Sequence, residues 1–350
     1  MNQLLSLSVL FSPQRHRGRA EVAQRIFRIV SALTLRNLCA SAVKCVLLFI
    51  PFSLSATIYA QVEETIHIST ELVIVDTQVS RQVDGKPVGG MKPEDFILTE
   101  NGVAQDVAVF SQDKLALSVV LFFDLTDTSQ PVLKRLAMGA MEALTHFKPQ
   151  DEIAVVAYAS RILSLQSFTR DRIAVIDAIT NASQMDAPEQ LALFNESVWL
   201  AANYIQADAK PKHRRVLLWL SDNLPNKPTR AAHTEKQALD QLFENDISVF
   251  GVMMQTKEGK VIDWVGRPKG SGNMFTYAEQ TGGEIIKAET EKVSERLGEI
   301  IDRMRARYAL GYVSTNNGAG FRTINVKLKP EVEKRIGKVT LRGKAGYFAK

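Results

Sequence analysis

The middle of the chain alternates between short apolar runs and segments of helical periodicity. Residues 118–123, led by Ser118, form one apolar run, which is typical of a strand buried on both faces of a sheet. The other apolar runs, also predicted to be strands, are residues 152–158, 215–220 and 247–253. The segments predicted to be helices are residues 131–147, 172–179, 191–205, 231–244, 277–281 and 291–307. This alternation predicts an α/β fold with a doubly wound, mostly parallel sheet and helices on both faces.

Both flanks of this region predict β structure instead. Residues 66–80 are rich in β-branched side chains in rough alternation, which indicates one long strand or two. A hairpin is expected around the turn at Asn101-Gly102. Short strands are predicted at residues 308–313, 323–328 and 338–341, with a turn over residues 330–334. We expect this tail to pair with the N-terminal strands and to bring the two ends of the chain together.

The N-terminal segment has the features of a targeting sequence. Residues 1–60 hold seven basic residues and one acidic residue, Glu21, ahead of and around an apolar run at residues 46–51. A positive region, a short apolar region and a small residue at the end are typical of secretion, so we expect cleavage after Ala60. The alternative is an uncleaved anchor, although Pro51 interrupts a run that is already short for a membrane span.

These observations predict four segments along the chain. They are a leader at residues 1–60, an N-terminal β unit at 61–114, an α/β domain at 115–308, and a C-terminal β segment at 309–350 that packs on the N-terminal β unit.

Charge and cysteine content narrow the classes of function. Beyond position 60 the chain carries 36 basic and 37 acidic residues, so it has no excess positive charge to attract nucleic acid. Both cysteines, Cys39 and Cys45, lie in the leader. A mature chain without thiols fits an oxidising, extracytoplasmic compartment, periplasmic or secreted.

Polar residues follow two of the predicted strands. Asp124, Thr126 and Thr128 alternate directly after residues 118–123, and Asp222 follows residues 215–220. In open α/β sheets, ligands bind beyond the carboxyl ends of the strands. Carboxylate and hydroxyl oxygens in this spacing suit Mg²⁺ or Mn²⁺ that keeps several waters. The sequence therefore predicts a metal site formed by these four residues.

Here the chain resembles the von Willebrand factor A family. Its metal ion-dependent adhesion site begins with Asp-x-Ser-x-Ser after the first strand, and Asp124-x-Thr126-x-Thr128 is similar, with Asp222 matching the later aspartate of the family. The segments that resemble the bacterial subgroup called vWFA-related are residues 92–96, 100–102, 148–152, 308–313 and 346–348. The resemblance covers residues 66–350 and implies the same α/β fold and a role in protein binding.

The sequence departs from the family's pattern at two places. Residues 190–194 contain no hydroxyl where the family supplies a threonine ligand, and Asn223 stands where the family usually has glycine. A site with these changes is metal-free or binds metal weakly. In an alternative interpretation, the polar residues of this loop have a capping role. Asp124 and Thr126 cap the loop, and Asp127, Thr128 or Ser129 caps the helix that begins near Pro131.

Two hypotheses about function follow. The first is an exported, non-enzymatic module that binds a protein partner at the carboxyl edge of the sheet, through a partly degenerate metal site. The second is a metal-free structural component of the cell envelope. An enzymatic hypothesis is weaker, because the motifs Gly-x-Ser-x-Gly and His-Glu-x-x-His are absent from the sequence. A membrane contact is expected only through the leader, if it stays uncleaved.

Overall fold

The computed structural model describes residues 72–112, 114–126, 129–159, 161–185, 193–210, 212–224, 233–255, 272–316 and 318–349. The chain divides into two units, Met1–Thr65 and Ile66–Lys350, and every described residue belongs to the second. The predicted leader and its cleavage position therefore lie outside the described residues. In the part of the chain that is described, no helix is both long and apolar enough to span a membrane.

The strands and helices of the described residues are numbered in chain order. The strands are β1 (Leu72–Arg81), β2 (Phe96–Glu100), β3 (Val103–Gln105), β4 (Val109–Gln112), β5 (Leu117–Asp124), β6 (Glu152–Tyr158), β7 (Ile162–Thr169), β8 (Arg214–Ser221), β9 (Ile247–Met254), β10 (Ile285–Ala288), β11 (Arg307–Val313), β12 (Gly320–Leu328), β13 (Val339–Gly343) and β14 (Gly346–Ala349). The helices are α1 (Gln130–Leu144), α2 (Arg172–Gln184), α3 (Phe194–Asp208), α4 (Glu235–Glu244), α5 (Met274–Thr281), α6 (Val293–Arg305) and α7 (Pro330–Ile336). Short 3₁₀ turns lie at Pro93–Asp95 and Thr290–Lys292.

Six strands form a central sheet in the order β10-β9-β8-β5-β6-β7. Its neighbouring strands are parallel, except that β7 runs antiparallel to β6. Every residue of β5 and β6 is buried, which explains why these segments are apolar on both faces. The predicted α/β class with a mostly parallel sheet is confirmed. The edge strand β7 is absent from the sequence prediction, because its partly buried and exposed residues mix polar and apolar types without a clear period.

Helices cover both faces of this sheet. Alternate residues of a strand point to opposite faces, and in β5 Leu121 belongs to one core cluster while Phe122 belongs to another. The first cluster includes buried residues of α1, α2 and α6. The second includes buried residues of α3, α4 and α5. The sheet is therefore doubly wound, as predicted.

Two four-stranded sheets combine strands from the two ends of the described chain. Their orders are β13-β1-β11-β4 and β14-β12-β2-β3. Strand β1 pairs antiparallel with β11 and β13, and β2 pairs antiparallel with β12. A third apolar cluster lies among these strands and includes Val75, Leu98 and Tyr312.

The C-terminal region differs from the sequence prediction in two details. Residues 330–334, predicted to be a turn, lie in helix α7, where Pro330 occupies the first turn, a position that proline tolerates because its missing N–H is not needed there. The preceding helix α6 ends at Arg305, and Arg307 already belongs to strand β11.

Charged side chains join strand β1 to the central sheet. The Nε and Nη2 atoms of Arg214, at the start of β8, lie 2.6 and 2.8 Å from the carboxylate oxygens of Asp76 in β1. The fully buried Arg307 donates to the carbonyl oxygens of Gly282 and Asp76 at 2.6 and 2.5 Å. Burial lowers the pKa of Arg307 to about 10, although Asp76 opposes that change. These contacts hold the two sheets together through buried charge.

Candidate functional site

The carboxyl edge of the central sheet brings two acidic residues to neighbouring strand ends. Asp124 is the last residue of β5 and lies in register with Tyr158, the last residue of β6. On the other side of β5, Phe123 pairs with Leu220, so that Ser221 ends β8 beside Asp124. Asp222 follows Ser221 directly and is 2% exposed. Because all three strands are parallel, their ends share one edge of the sheet.

The carboxylate of Asp124 accepts hydrogen bonds from three surrounding residues. Its Oδ1 accepts the backbone N–H of Thr126 at 3.0 Å. Its Oδ2 accepts the hydroxyl of Ser221 at 2.8 Å and that of Tyr158 at 3.2 Å. The hydroxyl of Tyr158 in turn accepts the indole N–H of Trp219 at 2.9 Å. The ends of β5, β6 and β8 are thus tied together by one side chain.

A second polar network continues from Ser221 along the same edge. The hydroxyl oxygen of Ser221 accepts the backbone N–H of Asn223 at 3.0 Å. The side-chain oxygen of Asn223 accepts the backbone N–H of Met274, and its amide donates to Asn273 at 3.2 Å. Oδ1 of Asp222 accepts the backbone N–H of Leu224 at 3.2 Å. These bonds fix the loop after β8 against the start of helix α5.

The conformation of Asn223 accounts for one departure from the family pattern. Its φ is 58°, which lies in the left-handed region that glycine adopts most readily and that asparagine tolerates better than most residues. Asparagine is therefore compatible with this turn, and its side chain binds the start of α5.

Burial raises the pKa values of two side chains at this edge, Asp124 and Tyr158. Removal from water raises the pKa of Asp124, while the hydrogen bonds from Thr126, Ser221 and Tyr158 oppose the rise. Burial also raises the pKa of Tyr158 well above its ordinary value, and the nearby charge of Asp124 adds to this rise. The phenol therefore stays a hydrogen-bond donor, and the carboxyl group of Asp124 holds its proton more strongly than an exposed aspartate does.

The predicted site residues are placed as follows. Asp124 and Thr126 are in direct contact, and Asp222 is linked to Asp124 through its neighbour Ser221. Thr128 lies outside the described residues, as does Asp127. Sequence reasoning missed Ser221 and Tyr158, although both end strands that the apolar runs predict.

The capping alternative receives partial support. The bond from the Thr126 N–H to Asp124 closes a short turn, as capping of the loop requires. Ser129 occupies the residue before helix α1, yet its side chain makes no capping hydrogen bond. Its hydroxyl instead lies 3.5 Å from that of Thr126. Of the three residues proposed as the cap, Ser129 is therefore excluded, and Asp127 and Thr128 lie outside the described residues.

The stretch that lacks the family's threonine is described only in part. Residues 190–192 lie outside the described residues. The next two are apolar: the backbone N–H of Leu193 binds the carbonyl of Ala159 at 3.0 Å, and Phe194 is buried against Trp219. An aromatic core contact thus begins helix α3.

The donors at this edge are of the type that Mg²⁺ and Mn²⁺ prefer, namely carboxylate and hydroxyl oxygens. Two carboxyl groups, those of Asp124 and Asp222, stand at the strand ends with the hydroxyl of Thr126. The described residues contain no group of three or more histidine, cysteine or acidic side chains able to hold a metal. A cation here would share Asp124 with protein donors and would bind only its ionised form. The types of donor therefore fit a cation that keeps most of its waters and binds weakly.

Comparisons with known proteins give matches only at the level of structure. No protein-family model matches the chain, and no curated protein sequence matches it. Proximal thread matrix protein 1 from the mussel byssus is 11% identical, with a TM-score of 0.43 over 55% of this chain. This chain spans about half, 49%, of that mussel protein. The mussel protein has also been solved with a zinc-occupied MIDAS motif.

Two bacterial structures are similar at the same level. A von Willebrand factor type A protein from Catenulispora acidiphila is 12% identical, with a TM-score of 0.42 over 79% of this chain and 73% of its own. The vWF domain of the type V pili tip protein Mfa5 from Porphyromonas gingivalis is 9% identical, with a TM-score of 0.40 over 54% of this chain and 94% of its own. The known structures that resemble this chain thus include von Willebrand factor A domains.

Proposed function

We propose that this chain is an exported, non-enzymatic module that binds a protein partner at the carboxyl edge of its central sheet. Asp124, Thr126, Thr128 and Asp222 form a weak site for Mg²⁺ or Mn²⁺ at that edge. The observation that carries the proposal is the 2.8 Å hydrogen bond between Ser221 and Asp124. That bond joins the ends of two neighbouring parallel strands, each of which carries one of the predicted acidic ligands.

The chain's own residues would do three things at this edge. Asp124 and Asp222 supply negative charge, Thr126 supplies a hydroxyl oxygen, and Ser221 with Tyr158 orients the Asp124 carboxylate. A bound Mg²⁺ or Mn²⁺ would supply a positive charge that attracts an acidic side chain of the partner. We assign binding rather than catalysis, because the Ser221 hydroxyl that donates to the Asp124 carboxylate is fully buried and so is not open to a substrate.

The raised pKa of Asp124 explains why the affinity is expected to be low. A cation binds the ionised carboxylate and must displace the proton that burial favours. It also competes with the hydroxyl groups of Ser221 and Tyr158 for the lone pairs of Oδ2.

A metal-free structural role in the cell envelope is the second candidate. The observation that favours it is the number of hydrogen bonds that Asp124 already accepts from the protein. A carboxyl group satisfied in this way stabilises three strand ends without any ion.

The proposal includes export and the division of the chain into segments. Residues 1–60 form the leader, 61–114 and 309–350 the β unit, and 115–308 the α/β domain. The mature protein recovered from its host is expected to begin at or near Gln61, in the periplasm or outside the cell. N-terminal sequencing of a soluble cytoplasmic pool that returned residues 1–20 would contradict this part.

Thermal unfolding with and without cation tests the metal site. For a dissociation constant on the order of 1 mM, about 10 mM Mg²⁺ or Mn²⁺ stabilises the folded state by about 1.4 kcal/mol. That corresponds to a rise in Tm of about 3–6 °C for a chain of this size. Asp124→Asn should abolish the rise and still fold, because the amide resembles the protonated acid that burial favours.

The matched control is Asp177→Asn, which changes an exposed aspartate in helix α2. It should respond to cation as the wild type does. If the wild type and Asp124→Asn respond equally, or neither responds, the metal-free structural role is correct instead.

A further inference from the structure

A groove lies at the opposite edge of the molecule from the candidate metal site. Its cavity of about 230 Å³ is lined by the start of β1, the end of helix α4 and strand β14. A neighbouring cavity of about 370 Å³ shares Glu244 and Phe348 with it. Helix α4 ends just before β9 begins, so the groove is at the amino edge of the central sheet, away from Asp124.

The walls of this groove combine apolar side chains of β1, α4 and β14 with polar side chains that include Glu244 and Asp246. Phe243 and Phe348 line the groove and form a row with Phe321, which lies beside it; each of the two ring centroids is 5.2 Å from that of Phe321. Phe321 is 43% exposed, and Leu72 at the start of β1 is 51% exposed. Apolar side chains in such a row offer a surface for an apolar side chain of another segment.

One edge of β1 is open along this groove. Residues 72–78 of β1 pair with β11 on one side. On the other side β13 pairs only with residues 77–81, because the chain leaves β13 at Gly343 to form β14. Within the described residues, the backbone of residues 72–75 therefore has no strand partner on that side. An unpaired edge of this kind accepts an added strand.

The charge beside the groove is acidic. Asp246 lies 2.7 Å from the ammonium group of Lys344, so that these two charges offset each other. Glu244 is exposed at the junction of the two cavities and makes no ion pair among the described residues. One negative charge is left to attract a basic side chain.

We propose that this groove binds an extended peptide segment of a partner protein that carries an apolar and a basic side chain two residues apart, on the same face of the added strand. The segment adds as a strand to residues 72–75 of β1 and continues the sheet where β13 ends. Its apolar side chain enters the cavity beside Phe348, and its basic side chain pairs with Glu244. The surface is separate from the metal site, so the chain would hold partners at both edges of its central sheet.

Peptide binding to the full chain tests this proposal. The probe is a fluorescently labelled hexapeptide in which serine alternates with valine, lysine and valine, so that both valines and the lysine share one face, and binding is followed by fluorescence anisotropy. We expect saturable binding that weakens at high salt. The same peptide with glutamate in place of lysine should bind far more weakly because of like-charge repulsion. A version with proline in place of two valines should also fail, since proline has no N–H to donate to the edge.

Two variants and a mapping experiment make the test specific. Glu244→Lys should weaken binding of the valine–lysine peptide at least about fivefold, because it removes an exposed ion pair, worth up to about fivefold, and adds a like-charge repulsion. The control Glu142→Lys, on the exposed face of α1, should bind as the wild type does. Amide resonances of residues 72–75 should shift on binding. Equal binding of the lysine and glutamate peptides, an unchanged affinity in Glu244→Lys, or shifts that map elsewhere would overturn the proposal.

Discussion

The ion pair between Asp76 and Arg214 is predicted to contribute a large share of the stability that joins β1 to the central sheet. The Arg214 side chain is 6% exposed and that of Asp76 is 18% exposed. Two nitrogen–oxygen distances, 2.6 and 2.8 Å, connect them. The nearby buried Arg307 adds a second positive charge that Asp76 helps to balance. Asp76→Asn removes the negative charge and leaves both guanidinium groups in place.

The predicted loss of stability follows from the buried positive charge that Asp76→Asn leaves without its partner. Breaking a buried ion pair by removing one partner costs about 3–5 kcal/mol, because the other charge remains buried without compensation. Asp76 keeps some contact with water, and asparagine retains one acceptor oxygen, so we expect the lower end, about 3 kcal/mol. With about 2–4 °C lost per kcal/mol, the Tm should fall by about 6–12 °C.

Urea unfolding followed by tryptophan fluorescence measures this loss. The control Asp84→Asn removes an exposed pair with Arg81 and should cost less than about 1 kcal/mol. The double variant Asp76→Asn with Arg214→Met should recover part of the stability, since it removes the uncompensated charge as well. If Asp76→Asn costs no more than Asp84→Asn, the ion pair does not hold the two sheets together.

Three further predictions concern single positions. Tyr158→Phe removes the acceptor of the Trp219 indole N–H and a donor to the Asp124 carboxylate. It should lower the free energy of unfolding in urea by about 1–3 kcal/mol; an unchanged midpoint would show that this hydrogen-bond network does not stabilise the fold. Burial alone would raise the pKa of Glu152, but hydrogen bonds from Ser118 and Lys210 lower the pKa overall. The stabilisation that Glu152 provides is therefore complete above its unfolded pKa and is lost as the pH falls through its lower folded pKa. The stability difference between wild type and Glu152→Gln should therefore shrink only at acid pH, and a constant difference would refute this. Gly283→Ala would put a Cβ 1.8 Å from a backbone carbonyl oxygen of β9. It should lower the free energy of unfolding by about 1–3 kcal/mol or more, and Tm with it; an unaltered Tm would contradict the close packing.

The sequence predicts the central sheet well because its strands are buried on both faces. The apolar runs at residues 118–123 and 152–158 differ from β5 and β6 by at most one residue at either end. Elements with one exposed side are harder to identify, and β7 has no unbroken apolar run or strict alternation to mark it. The sequence predicts a turn in place of helix α7, because Pro330 is as typical of a turn as of the first turn of a helix.

The candidate site is predictable only in part for a related reason. Asp124 and Asp222 can be found because they directly follow buried strands, where ligands of α/β sheets bind. The partners of Asp124 are 34 and 97 residues away in sequence, in Tyr158 and Ser221. Only the strand order, which places β6 and β8 on either side of β5, brings them to its carboxylate. No local pattern contains that information.

Paramagnetic broadening by Mn²⁺ tests most directly whether the carboxyl edge of the sheet binds a cation. Backbone amide resonances of the full chain would be recorded while Mn²⁺ is titrated into the millimolar range, for the wild type and for Asp124→Asn. We predict that broadening in the wild type is centred on Thr126 and Leu224, whose amides bind the two acidic side chains, and that it is lost in the variant. No broadening at these amides, or the same broadening in both proteins, would contradict the proposed site.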